Sequence, residues 1–178
     1  MILTKDAVPD NTIHEVRERL EQLLQFVDQA AQDGLQLYDV ERRVFDEVLK
    51  LGHQCVEVFI DLQGNGDLGK EVTHHNRTLC RSSSPHSRDL RTVFGEHKFE
   101  QFVYSRGANC KIELYPLDAR MGLSGHVHSY LMEEFSQMFC VESAFALSAE
   151  NLTQVFGGTF SVNTLELTSQ RRPSNGTA

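Results

Sequence analysis

The sequence predicts an α+β fold, and three textures along it carry that prediction. Two long stretches near the N-terminus place apolar residues at three- and four-residue steps; a central stretch alternates in short runs broken by turn residues; and helical spacing returns toward the C-terminus. These textures divide the 178 residues into a helical hairpin over 1–70, a small antiparallel β subdomain over 71–120 and a helical, helix-turn-helix-like segment over 121–166. A polar tail over 167–178, containing a proline, is expected to be disordered.

The first helix is marked by Ile13, Val16, Leu20, Leu23, Val27 and Ala30, which fall on one face. Thr12 followed by Glu15 has the form of a capping box, and Gly34 is a suitable stop. A second helix is expected after Asp39, with Val40, Val44, Val48, Leu51, Cys55, Phe59 and Leu62 as its apolar seam and Gly64-Asn65-Gly66 as its end. Joined by a short turn, the two helices should pair as an antiparallel hairpin. A seam this regular can also serve a dimer contact, as in coiled coils.

Residues 74–89, with a Ser-Ser-Ser-Pro centre, read as a loop or loose hairpin. From Leu90 to Tyr115 the pattern is that of three short strands in a meander, with turns expected at Gly95-Glu96 and at Arg106-Gly107-Ala108-Asn109. Pro116 ends the last strand. After Gly125, Val127, Leu131, Phe135, Met138 and Phe139 share one side of a helix, and a further helix covers Ser143 to Phe156.

Charge bears on partners. The chain carries 17 Lys and Arg against 25 Asp and Glu, for a net charge of −8. Its acid is concentrated in residues 1–70, whereas Arg77, Arg81, Arg88, Arg91, Lys98, Arg106 and Lys111 outnumber Asp89, Glu96 and Glu100 over 77–111. A nucleic-acid binder working through total charge is excluded; one working through a local basic face is not. The longest apolar runs are only a few residues, far short of the roughly 20 of a membrane helix, and the N-terminus lacks a secretory h-region, so a cytosolic setting is expected. Four cysteines, Cys55, Cys80, Cys110 and Cys140, form no C-x-x-C pair and are expected to be reduced thiols.

Several motifs match by letter only. Gly64-x-Gly66-x-x-Gly69-Lys70 resembles a dinucleotide fingerprint, but a helix precedes it where the mechanism needs a strand. Asp61, Gln63, Asn65 and Gly66 begin an EF-hand loop whose twelfth position is Val72 rather than a bidentate Glu. His74, His75, Cys80 and His86 are competent zinc ligands at a spacing that matches no structural zinc module. No metal, cofactor or catalytic residue is expected. A helix ending at Phe156, a Gly157-Gly158 break and Ser161 capping a new helix have the order of a helix-turn-helix. Asn163 and Thr164 near that helix start are candidate base contacts, since Asn can pair bidentately with adenine.

Further residues point to a family. Leu51-Gly52-His53, Gly66-Asp67-Leu68-Gly69, Arg91-Thr92-Val93-Phe94-Gly95-Glu96, Val103-Tyr104 and Pro116-Leu117-Asp118-Ala119-Arg120-Met121-Gly122-Leu123 stand in an order and spacing continued by Ser129-Tyr130-Leu131, Cys140-Val141-Glu142-Ser143-Ala144-Phe145 and Ser161-Val162-Asn163-Thr164-Leu165-Glu166. Over roughly residues 40–166 this resembles the N-terminal region of bacterial insertion-sequence transposases of the Kra type. That family's members are DDE enzymes, which cut and join DNA ends with metal-bound carboxylates. Leu123-Ser124-Gly125 stands where the family usually has Leu-Pro, and the likeness stops after Glu166, ahead of the catalytic domain. The resemblance implies a catalytically incomplete fragment that binds the terminal inverted repeats of its element. Ser161, Asn163 and Thr164 would lie near bases, and Arg88, Arg91, Lys98, Arg106 and Lys111 would contact phosphate. The alternatives are a protein–protein module, dimerising or pairing with full-length transposase through the 12–62 hairpin, and a non-functional remnant.

Overall fold

A computed structural model of the chain describes residues 10–142 and 145–156. Five helices and six strands follow one another, and the strands form antiparallel sheets, so the α+β class holds. The chain divides into two compact units: Met1–Arg88 with Lys98–Gly122, and Asp89–His97 with Leu123–Ala178.

The first unit begins with the helical hairpin. Helix α1 spans Asp10–Asp33 and α2 spans Leu37–Asp61. The Thr12–Glu15 pair therefore lies inside α1 and does not mark its start. The stop at Gly34 is as expected: its φ of 67° lets the Leu35 amide reach back to the Ala30 carbonyl at 3.0 Å, the six-to-one bond of a Schellman motif. Helix α2 starts two residues before Asp39 and is capped at Leu62, whose amide bonds the Val58 carbonyl. Between the helices Arg19 donates to Gln54 (2.7 Å) and to Glu47 (3.1 Å), a polar cross-link that fixes their register.

Strands β1 (Glu71–His74) and β2 (Arg77–Arg81) come next. Of the loop or loose hairpin expected over 74–89, the first part belongs to a paired hairpin closed by His75 and Asn76, with φ of 48° and 59°, residues 82–85 are loop, and His86 already starts the next strand. Two left-handed residues make the tight turn that suits strand twist; a histidine in that role carries no sequence signal. Strand β3 (His86–Thr92) pairs with β4 (Gly95–Gln101), while β5 (Tyr104–Ser105) and β6 (Ile112–Leu114) follow. The expected single meander resolves into two sheets, one ordered β1-β2-β5-β6 and one made of β3 and β4. The β3–β4 turn is at Val93–Phe94, two residues before the expected Gly95-Glu96, because the Thr92 hydroxyl accepts from the Phe94 amide (3.1 Å) and closes it there.

On one face of the four-stranded sheet Leu79 and Tyr104 are fully buried, joined in the same unit's core by Val103 and Leu117. Pro116 not only ends β6 but opens α3 (Pro116–Met121), a short helix absent from the sequence reading and stopped by Gly122 at φ 64°.

In the second unit, Arg91 of β3 exchanges backbone bonds with Val127 (2.7 Å) and Ser129 (2.8 Å). Val127 therefore lies in a bend before the Arg91–His128 bridge and is not the start of a helix. Helix α4 runs Tyr130–Glu142, with the Ser129 hydroxyl accepting from the Met132 amide, and packs with α5, Phe145–Phe156. The recognition-helix residues Ser161, Asn163 and Thr164, and the tail over 167–178, lie outside the described residues.

Candidate nucleic-acid interface

The four-stranded sheet is tied to α2 through the glycine-rich linker. Gly66 sits at φ 75°, and a Cβ there would stand 3.3 Å from the Phe102 carbonyl oxygen and 3.4 Å from the Leu117 side chain. The linker's acids and amides serve its own backbone: Asn65 accepts from the Asp67 amide (3.0 Å) and Asp67 from the Gly69 amide (2.8 Å). The other Asp67 oxygen takes the Arg81 guanidinium, which lies over the Phe102 ring with its carbon 4.6 Å from the centroid. These side chains make a docked connection, and neither nucleotide nor calcium chemistry is built from them.

A second polar group underlies α3. Gln101 Nε2 donates to Asp118 Oδ1 (2.8 Å), Arg88 Nε donates to Asp118 Oδ2 (3.2 Å), and the Leu117 amide donates to Gln101 Oε1 (3.2 Å). The Arg88 and Asp118 side chains are only 14% and 12% exposed. Arg88 is thus held inward by a carboxylate, an arrangement suited to fixing α3 more than to touching a phosphate.

The remaining cations gather differently. Because β5 runs antiparallel to β2, with Cys80 opposite Ser105, the turn after Ser105 reaches the sheet end where the His75–Asn76 turn lies. Arg106 Nε sits 2.5 Å from Glu113 Oε1, and Arg77 stands 3.9 Å from the other oxygen of the same carboxylate. Both guanidinium side chains are 59% exposed. Lys111 is exposed beside them, without an ion pair among the described residues, and the His74 and His75 rings meet edge to face at 4.1 Å on the adjoining turn. With Arg77, Arg106 and Lys111 against Glu113, this end of the sheet is net positive.

Among the other residues singled out by sequence, Lys98 is exposed on β4, and Arg91, in the second unit, forms a 2.7 Å ion pair with Glu96. Arg77 was counted among the basic residues but not picked as a contact; only the register of β2 against β5 brings it to Arg106. Cys80 does not join His74: it pairs with Glu71 while His74 pairs with Arg77, three rungs apart, or about 10 Å.

Comparison with family models, with curated proteins and with solved structures found no match to this chain.

Proposed function

We propose that the chain is a DNA-recognition portion of an insertion-sequence transposase of the Kra type, binding the terminal inverted repeats of its element. The role assigned to these residues is binding and not strand cleavage. The observation that carries the reading is the cationic end of the four-stranded sheet, where Arg77 and Arg106 share the carboxylate of Glu113 and exposed Lys111 stands just before β6 at the same end. Phosphate contacts from such a patch position a protein on a duplex without specifying sequence. Lys98 is a further candidate phosphate contact, and Ser161, Asn163 and Thr164 are the candidate base contacts. Arg88, nearly covered against Asp118, is assigned to the framework, while Arg91, paired with the exposed Glu96, stays a candidate phosphate contact.

Support also comes from the way an acidic chain keeps this patch apart: most of its excess acid is in residues 1–70, on and around α1 and α2. The test is a mobility-shift titration of the purified chain against the element's own ends and against random duplex, at two salt concentrations. Preferential retardation of the ends, weakened by salt, is expected. Equal or absent retardation at low salt overturns the reading.

A further inference from the structure

The helical hairpin has two apolar stripes per helix. On the far side of α2, Leu49, His53, Val56 and Ile60 are half-buried or buried; of the other covered positions, the series Val16, Arg19, Leu23, Phe26 and Ala30 on α1 meets the series Val40, Val44, Glu47, Leu51, Gln54 and Val58 on α2. Both series step by three and four, and the Arg19 bonds to Glu47 and Gln54 show that they face each other. One residue further along, a second stripe follows on each helix. On α1 it is Leu20, Leu24, Val27 and Ala31; on α2 it is Phe45, Val48, Gly52, Cys55 and Phe59, with Tyr38 one heptad earlier. Apart from half-buried Gly52, these positions are exposed: Leu24 is 56% accessible, Phe45 46%, Phe59 53% and Tyr38 65%.

Each step along a helix turns the side chain by about 100°. Because the two helices run in opposite directions, the same step in sequence turns their side chains to the same side of the hairpin. The outer stripes therefore form one continuous apolar face. Every other exposed position of α1 between His14 and Gln32 is polar or charged, so the pattern is not general surface hydrophobicity.

We infer that this face binds a second copy of the chain, completing a four-helix bundle. Three observations select that occupant. Its exposed fractions correspond to roughly 700 Å² per copy, so pairing removes about 1,400 Å² from water, within the range of specific interfaces and above the patches usual on monomers. The face carries small residues (Ala31, Gly52) as well as large ones (Leu24, Phe45, Phe59), and a two-fold contact requires knobs and holes on the same patch. Finally, Arg17 continues the stripe at one end, and Glu41 stands between Tyr38 and Phe45 near the other. A two-fold axis lying across the helices brings Arg17 of each copy to the end held by Glu41 of its mate, whereas an axis along the helices would gather like charges. The pairing is antiparallel.

This inference is independent of the DNA reading, since it is tested without DNA. Sedimentation of the full chain at micromolar concentration should give twice 20.2 kDa. Val48→Glu, an exposed position, should retain native circular dichroism and weaken association at least ~100-fold, because a two-fold contact buries the introduced carboxylate twice; Tyr115→Glu, away from the face, should leave association unchanged. In the wild-type dimer Cys55 should resist iodoacetamide while the exposed Cys110 reacts, which keeps the test open should Val48→Glu not fold. A monomer at 100 micromolar overturns the inference, and a monomer in which Cys55 is protected shows that the chain covers its own face. Dimerisation unaffected by Val48→Glu, or with Cys55 as reactive as Cys110, also overturns it.

Discussion

The phenol of Tyr104 accepts a hydrogen bond from the Leu68 amide at 2.7 Å and donates one to the neighbouring Gly69 carbonyl at 2.9 Å. A side chain on the short central strand β5 thus satisfies the backbone of a linker 35 residues earlier, and it does so fully buried. Tyr104→Phe leaves the Leu68 amide without its acceptor, which should cost about 1–3 kcal/mol in chemical denaturation. Burial holds the phenol above the ordinary tyrosine pKa, with the Leu68 amide opposing that rise. The protonated form is the one the fold favours. Its contribution is complete below the ordinary value of about 10 and is lost as pH climbs through the higher folded value. The wild-type chain should therefore lose stability above pH 10 more steeply than Tyr104→Phe, read as the denaturation midpoint against pH.

Gly66 and Gly122 both have left-handed backbone, at φ 75° and 64°, but only Gly66 has neighbours within 4 Å of an added Cβ. Alanine at either site incurs the conformational penalty, about 1 kcal/mol. At Gly66 it also presses on the Phe102 carbonyl, which is backbone and cannot swing away. Gly66→Ala should destabilise the first unit by about 2–3 kcal/mol, and Gly122→Ala by about 1. Equal thermal shifts would refute the close approach.

Arg88 and Asp118 yield a prediction that separates framework from contact. With both side chains nearly covered, removing the guanidinium leaves a buried carboxylate held only by Gln101. Arg88→Ala should cost about 2–4 kcal/mol of stability. If Arg88 is framework, the folded fraction of this variant should keep the wild-type salt dependence of DNA binding. A phosphate contact would instead reduce that dependence by nearly one counterion.

The two long N-terminal helices and the stop between them were legible because their signals are local, the three–four spacing of Val16, Leu20, Leu23, Val27 and Ala30 and a glycine at position 34; the helix starts were not, since Thr12 lies inside α1 and α2 begins before Asp39. The hairpin seam was only half legible. Val48, Cys55 and Phe59 fit the same spacing as Val40, Val44 and Leu51, and spacing alone does not say which of two adjacent stripes meets α1. The sheet was harder still. That β2 pairs with β5 depends on contacts more than 20 residues apart, so neither the two-sheet division nor the meeting of Arg77 with Arg106 could be read from periodicity. The α3 helix was hidden by its brevity, since six residues show no period.

Acid should loosen the hairpin through Glu47. The hydrogen bond from Lys50, foremost, together with that from Arg19, holds this carboxyl below the usual glutamate value. A depressed carboxyl contributes above its unfolded pKa of about 4.3, and the contribution disappears as pH falls through the folded value. The helical signal of the wild type should therefore melt progressively more easily below pH 4.3. Glu47→Gln should be less stable at pH 7 and should show a flatter profile across the acid range. A profile unchanged by Glu47→Gln would remove this carboxylate from the hairpin's energetics.

Glu113 gives the most direct reading of the cationic sheet end, because its removal should strengthen what the other substitutions weaken. Its carboxylate holds Arg106 at 2.5 Å and Arg77 at 3.9 Å, so that it both orients the two guanidiniums and offsets their charge. Neutralising Arg77, Arg106 or Lys111 with Gln should lower DNA affinity and reduce the slope of log K against log salt by about 0.9 each. Glu113→Gln removes a competing anion from the same place and should tighten binding roughly 3- to 10-fold at low salt, an advantage that fades as salt screens the patch. The opposed signs matter. A substitution that merely loosened the sheet would weaken binding whichever charge was removed, whereas an electrostatic contact requires Glu113→Gln and Arg106→Gln to move affinity in opposite directions. Titrations of the two variants at 50 and 200 mM salt decide between these cases, and loss of affinity in both would place the DNA contact elsewhere on the chain.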